Sequence, residues 1–217
     1  MKNNKLLAYV FLLFLTGCTG SKITTVWKAA DITSQSYGKI LVLGLIPEKD
    51  RRIQENMENH VAGDLIDLGY SAVTSLQLFG PKAFDQLDEN AALEKLKNSG
   101  ISAVITIVML DKKKERKYVQ PQVTYSSGGY MNNFWEYRLG LYNRILEPGY
   151  YITDTKYYWE SNFYEMSSRK LIYSVQTQSF DPKNSWSMGH EYGHMIVNNM
   201  VREKILKTQG RIQTEKF

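Results

Sequence analysis

The sequence predicts a single α/β (α+β) domain, a mixed β-sheet with helices packed on it and a long aromatic-rich loop or hairpin insertion. Three observations carry that prediction. Two nearly continuous apolar runs, KILVLGL over 39–45 and ISAVITIVML over 101–110, are what strands covered on both faces require. The chain between them shows helical periodicity with glycine stops. Residues 151–178 then read as two strand-like runs separated by a polar turn.

Taken in order, Pro47 closes the first strand and Asp50 is placed to cap a helix. Its apolar positions Ile53, Met57, Val61, Leu65 and Leu68 share one helical face, and Gly69 stops it. Residues 70–75 form a second strand. After Gly80-Pro81, residues 90–97 form a short helix ended by Gly100, and 101–110 is the third strand, expected at the centre of the sheet. Right-handed crossovers make these three strands parallel neighbours. Residues 118–164 are crowded with aromatics around the turn signals Ser126-Ser127-Gly128-Gly129 and Pro148-Gly149. A strand at 151–164 is followed by a turn at 167–169 and an antiparallel partner at 170–178. A last helix spans about 185–207.

The GKILVLGL strand, the helix ending in LGY, the KNSGISAVITI segment and ESNFYEMSSRKLIYSVQTQSFDP resemble a group of uncharacterised bacterial envelope lipoproteins. Their α/β domain is similar to the amino-terminal domain of the Tol-Pal propeller protein and to the core of the curli secretion lipoprotein. The resemblance covers most of residues 39–207 and rests on pattern, with no catalytic motif. It implies envelope-associated binding or assembly roles.

The amino terminus says where such a chain resides. Lys2 and Lys5 precede an apolar stretch from Leu6 to Leu15, then Leu15-Thr16-Gly17-Cys18. A basic start, a short apolar run and small residues before a cut make a secretory signal, too short to span as a helix. The LTGC ending resembles the bacterial lipobox, which implies cleavage before Cys18 and lipidation of that residue. Acyl anchoring is durable because each buried methylene contributes about 0.8 kcal/mol. Thr19, standing where an aspartate would favour inner-membrane retention in enterobacterial lipoproteins, implies the outer membrane, on its periplasmic or surface-exposed face. The expected divisions are a lipoprotein signal peptide at 1–17, a tether at 18–38, the α/β domain at 39–209 and a polar tail at 210–217.

Cys18 is the sole cysteine, so the core holds the fold without internal disulfides. Loss of Lys2 and Lys5 with the signal takes the formal charge from +5 to +3, too small an excess to indicate nucleic acid as a partner. The one dense basic run, Lys112-Lys113-Lys114-Glu115-Arg116-Lys117, reads as a solvated strand end, with anionic lipid headgroups or lipopolysaccharide as its other reading.

GHEYGHMIV at 189–197 contains H-E-x-x-H, in which His190 and His194 could hold zinc and Glu191 could activate water. A catalytic zinc needs a third protein ligand. Glu203, nine positions past His194, is half a helical turn out of phase and about 13 Å away. Glu215 lies in the polar tail, and His60, the remaining histidine, is on the first helix. Helical phase gives the simpler account: Gly193, Ile196, Val197, Met200 and Val201 share the face that buries a helix on a sheet, with both histidines at its margin. The expectation is therefore no cofactor and a non-enzymatic binding or scaffolding role, with a zinc-dependent peptidase using the HEYGH motif as the alternative. VTYSSGGYMNNFWEY has the tyrosine, serine and glycine mixture of binding loops. Tyr125, Tyr130, Phe134, Trp135 and Tyr137 make it the candidate binding surface for an envelope protein, peptidoglycan or glycan; the other readings are aromatics that pack on their own hairpin and rings that lie against the membrane interface.

Overall fold

The computed structural model describes residues 20–30, 37–82, 84–120 and 149–208. Cys18, the aromatic positions between Tyr125 and Tyr137, and the segments 1–17 and 210–217 lie outside the described residues. One six-stranded sheet is formed by β1 (Ser21–Lys28), β2 (Lys39–Leu45), β3 (Ser71–Thr74), β4 (Ile101–Val119), β5 (Tyr150–Glu165) and β6 (Lys170–Phe180). The helices are α1 (Arg51–Asp67), α2 (Ser75–Phe79), α3 (Glu89–Asn98) and α4 (Ser185–Arg202).

The strand order is β1-β6-β5-β4-β2-β3. β2 runs parallel to β3 and β4, while β4–β5, β5–β6 and β1–β6 are antiparallel. Because β3 and β4 flank β2 on opposite sides, right-handed crossovers put α1 on one face of the sheet and α3 on the other. Side chains alternate accordingly: Ile40 and Val42 join the core under α1 and α4, whereas Leu41 joins Leu96, Val104 and Phe79 on the opposite face. β4 is central and its first half is covered on both faces, as its unbroken apolar run demands.

The ends of the helices follow local chemistry. Gly69 takes φ 96° after α1 and Tyr70 N–H returns to the Leu65 carbonyl, the hydrogen-bond pattern of a Schellman stop. Asn184 and Ser187 form a reciprocal capping box at the start of α4. Asp50 sits at the N-cap of α1 without capping it; its carboxylate instead receives Lys112 Nζ at 2.9 Å. Glu58 is fully buried and accepts from Gly44 N (2.9 Å), Gln54 Nε2 (2.8 Å), Ser75 Oγ (2.8 Å) and Leu76 N (3.1 Å), joining β2, α1 and α2.

Besides the expected Asp50 cap, four expectations change. Within the stretch expected as a tether, 21–28 is an edge strand on β6, fastened by Ser21 Oγ to Ser179 Oγ at 3.0 Å. Residues 75–79 are helical where a strand end and a loop were expected, because Thr74 Oγ1 accepts from Gln77 N and starts a turn. The helix α4 ends at Arg202 instead of about 207, with Lys204 at φ 63°. Finally, β4 does not stop at Leu110. A bulge between Met109 and Asp111 lets it continue through the basic run to Val119, paired throughout with β5.

Candidate functional site

The HEYGH residues lie on α4, which packs side by side with α1 and in the same direction. A Cβ on Gly189 would stand 2.8 Å from the Asn56 carbonyl oxygen, and one on Gly193 would stand 2.7 Å from Asp64 Oδ2 and 3.1 Å from the His60 carbonyl carbon. Gly193 therefore serves close approach to α1, where sequence reasoning had placed the sheet. Tyr192 faces the sheet: it is completely buried, and its hydroxyl lies 2.6 Å from Ser161 Oγ on β5. Asn199 Oδ1 accepts from Tyr173 on β6 at 2.6 Å. Burial raises the Tyr192 and Tyr173 phenols well above the usual tyrosine range, so both stay protonated.

His190 and His194 are exposed, and Glu191 accepts from Ser21 Oγ at 3.3 Å. The helix margin assigned to the histidines is where they lie. What the sequence did not show is that His60 faces them. Its ring centroid is 5.3 Å from that of His190 and 5.2 Å from that of Trp186, and Trp186 stacks on His190 at 5.4 Å. Burial, then His190, lowers the His60 pKa, with Asp64 acting in the opposite sense. Burial raises that of Asp64 against the pull of His194, His190 and His60, and its Oδ2 is buried with no hydrogen-bond partner. All three histidines and Asp64 thus share one seam between α1 and α4. Among the described residues, no three His, Cys, Asp or Glu side chains are disposed to hold a metal ion.

A second region is built by the far halves of β4 and β5. β2 pairs with β4 only as far as Val108, and β6 pairs with β5 only from Lys156 onward. Residues Lys114–Val119 and Tyr150–Thr155 therefore pair only with each other, as a two-stranded ribbon projecting from the sheet. Its faces differ. Strand alternation puts Lys112, Lys114, Arg116 and Tyr118 on the side of Tyr157, Thr155, Thr153 and Tyr151. There Lys112 lies over Tyr157, Arg116 lies 4.8 Å from the Tyr151 ring centroid, and Tyr118 packs on Tyr151. Neither ribbon strand contributes a carboxylate to that face; Asp50, at the start of α1, reaches only Lys112 at its base. The two ribbon carboxylates and Asp111 at its base are on the other: Asp111 pairs with Lys113, Glu115 with Lys156 at 2.7 Å and Asp154 with Lys117. Tyr118, Tyr150 and Tyr151 are each more than half exposed. The signal for this asymmetry was in the sequence: in 111–118 both acids, Asp111 and Glu115, occupy odd positions.

No family model and no curated protein matches the chain. Solved structures to which the chain is similar include a PelC dodecamer from Paraburkholderia phytofirmans, with a TM-score of 0.45 and 9% identity over 85% of this chain and 99% of that one. The lipoprotein GNA1162 from Neisseria meningitidis gives 0.41 and 15% over 76% and 99%. A putative neuraminyllactose-binding hemagglutinin homolog from Helicobacter pylori gives 0.36 and 12% over 82% and 94%. Likeness at this level leaves function to be read from the chain's own residues.

Proposed function

We propose that this chain is a lipid-anchored protein of the bacterial outer membrane with a non-enzymatic binding or scaffolding role, exercised through the β4–β5 ribbon and the aromatic segment that connects its strands. The ribbon carries the reading. Lys114–Val119 and Tyr150–Thr155 add nothing to either core cluster, yet they hold exposed tyrosines in a defined geometry. Exposed aromatic area on a rigid support is what a binding surface needs. The helix α4 supports the same conclusion from the other side, because Tyr192 and Gly193 of its motif are committed to packing. The Leu15-Thr16-Gly17-Cys18 signature supplies the anchor, and among the described residues no helix is long and apolar enough to cross a membrane.

Metabolic labelling with a palmitate analogue should mark the protein in the outer-membrane fraction, and Cys18→Ala should abolish the mark; a label that survives the substitution removes the anchor. Replacing Tyr130, Phe134 and Trp135 together by alanine should reduce in-cell crosslinking to partners while leaving the fold intact by circular dichroism. Unchanged crosslinks remove that surface. One tightly held zinc per chain, lost together with a peptidase activity in His194→Ala, would replace this reading with the hydrolase.

A further inference from the structure

Register across the sheet relates the ribbon to the anchor. Ser21 of β1 stands opposite Ser179 of β6, Ser179 opposite Tyr157 of β5, and Tyr157 opposite Lys112 of β4. These four residues form one row across four strands. Traced from Lys28 back to Ser21, β1 runs toward the end of the sheet from which the ribbon projects. Cys18 is three residues upstream of Ser21, so it can lie at most about 11 Å beyond that row. β4 continues past the same row for seven residues, Lys113–Val119, or about 23 Å, the last six of them in the ribbon. A lipidated Cys18 therefore sets the bilayer surface closer to the row than the ribbon is long. Fraying of β1 is opposed by the Ser21–Ser179 hydroxyl pair and by the hydrogen bond from Phe180 N–H to the Gly20 carbonyl.

We infer that the ribbon lies along the bilayer into which Cys18 is anchored, with its carboxylate-free face on anionic phospholipid headgroups. The inference rests on the lipid-anchor reading and names the surface that the ribbon meets first. Lys114 and Arg116 supply the charge on that face, and Tyr118 and Tyr151 are amphipathic rings suited to headgroup depth. The opposite face cannot serve equally, since Lys113, Lys117 and Lys156 are matched by Asp111, Asp154 and Glu115. The other carboxylates near the ribbon's base are occupied: Asp50 holds Lys112, and Asp181 accepts from Thr155 N. The contact would fix the orientation of the whole domain, which a single lipid attachment point leaves free.

Two measurements test the inference. Lipidated protein carrying a single added cysteine, Thr153→Cys on the ribbon or Ser168→Cys at the opposite end of the sheet, is labelled with an environment-sensitive fluorophore in phosphatidylethanolamine–phosphatidylglycerol vesicles. Headgroup-attached quenchers should quench the first label severalfold more than the second; equal quenching in protein that carries the palmitate mark overturns the inference and leaves the anchor standing. The mature polypeptide from residue 18, made without its signal and hence without lipid, reads the ribbon alone. It should bind phosphatidylglycerol vesicles and not phosphatidylcholine vesicles. Lys114→Gln with Arg116→Gln should lower that partitioning about thirtyfold, about fivefold for each cation removed, and Lys113→Gln with Lys117→Gln should lower it less. Equal binding to both vesicle types, or an equal loss in the two double variants, overturns the inference.

Discussion

β4 and β5 are paired from end to end, yet the two halves of the pair are different materials. In the near half, Ala103, Ile105 and Ile107 of β4 and Trp159 and Phe163 of β5 are buried almost completely. In the far half, Tyr118, Tyr150, Tyr151 and Ile152 are exposed and, Val119 apart, the positions around them are polar. Backbone pairing is common to both, so it is not what distinguishes them. The near half is held by apolar burial, each large side chain contributing about 1.5–3 kcal/mol. The far half is held by cross-strand pairs, about 0.2–1 kcal/mol each. A region that contributes so little to stability and still keeps its geometry is free to be used for contact.

The largest effect expected would break the comparison if it failed. Trp159→Ala removes a fully buried ring stacked on Tyr157 and tilted against Tyr192, and should cost about 3–5 kcal/mol in urea denaturation. Tyr151→Ala, eight residues away on the same strand, should cost no more than about 1 kcal/mol, the worth of a cross-strand pair. Comparable losses at the two positions would mean that the ribbon belongs to the core.

The next pair sharpens the comparison at the helices, using glycines whose surroundings differ. Gly189 presses on the Asn56 backbone, which cannot give way as a side-chain end can, so Gly189→Val should destabilise by about 1–3 kcal/mol. Gly63 of α1 has nothing within 4 Å of its missing Cβ, and Gly63→Ala should stabilise by about 0.5–1 kcal/mol through backbone entropy alone. Thermal melts of the two variants should shift in opposite directions. A loss at both would show that α1 is crowded at Gly63 as well as along its seam with α4.

How much of this was legible in the sequence depended on whether the signal was local. The strand at 39–45 coincides with its apolar run, and the centrality of β4 followed from ten residues that need cover on both sides. β1 was missed because its partner is about 150 residues away, and SKITTVWK alternates too weakly to announce an edge strand by itself. The reach of β4 was missed because a lysine run reads as the end of a strand until a partner strand supplies carboxylates opposite it, as Asp154 does for Lys117. At the candidate site, helical phase correctly put His190 and His194 on the margin of α4. It could not show that α1 brings His60 and Asp64 to the same margin, since no periodicity within either helix encodes which neighbour lies across it.

The smallest expected effect lies at that margin, between packed and projecting regions. The pKa of His60 in the folded protein is below its ordinary value, through partial burial and the neighbouring His190, with Asp64 opposing. A depressed pKa means that the folded state takes up the proton less readily than the unfolded chain does. The contribution of His60 is therefore fully present above the unfolded value, about 6.5, and is lost as the pH falls through the lower folded value. Asp64 acts in another window: its raised pKa adds stability that is complete below the ordinary carboxylate value and fades as the pH rises through the folded one. Between pH 7 and pH 5.5 the histidine should dominate, so the melting temperature should fall slightly across that interval, and His60→Gln should flatten the slope. Because His60 is only partly covered, solvent screening keeps the change small. A slope left unchanged by His60→Gln would move the proton uptake to other groups and leave the α1–α4 seam insensitive to pH.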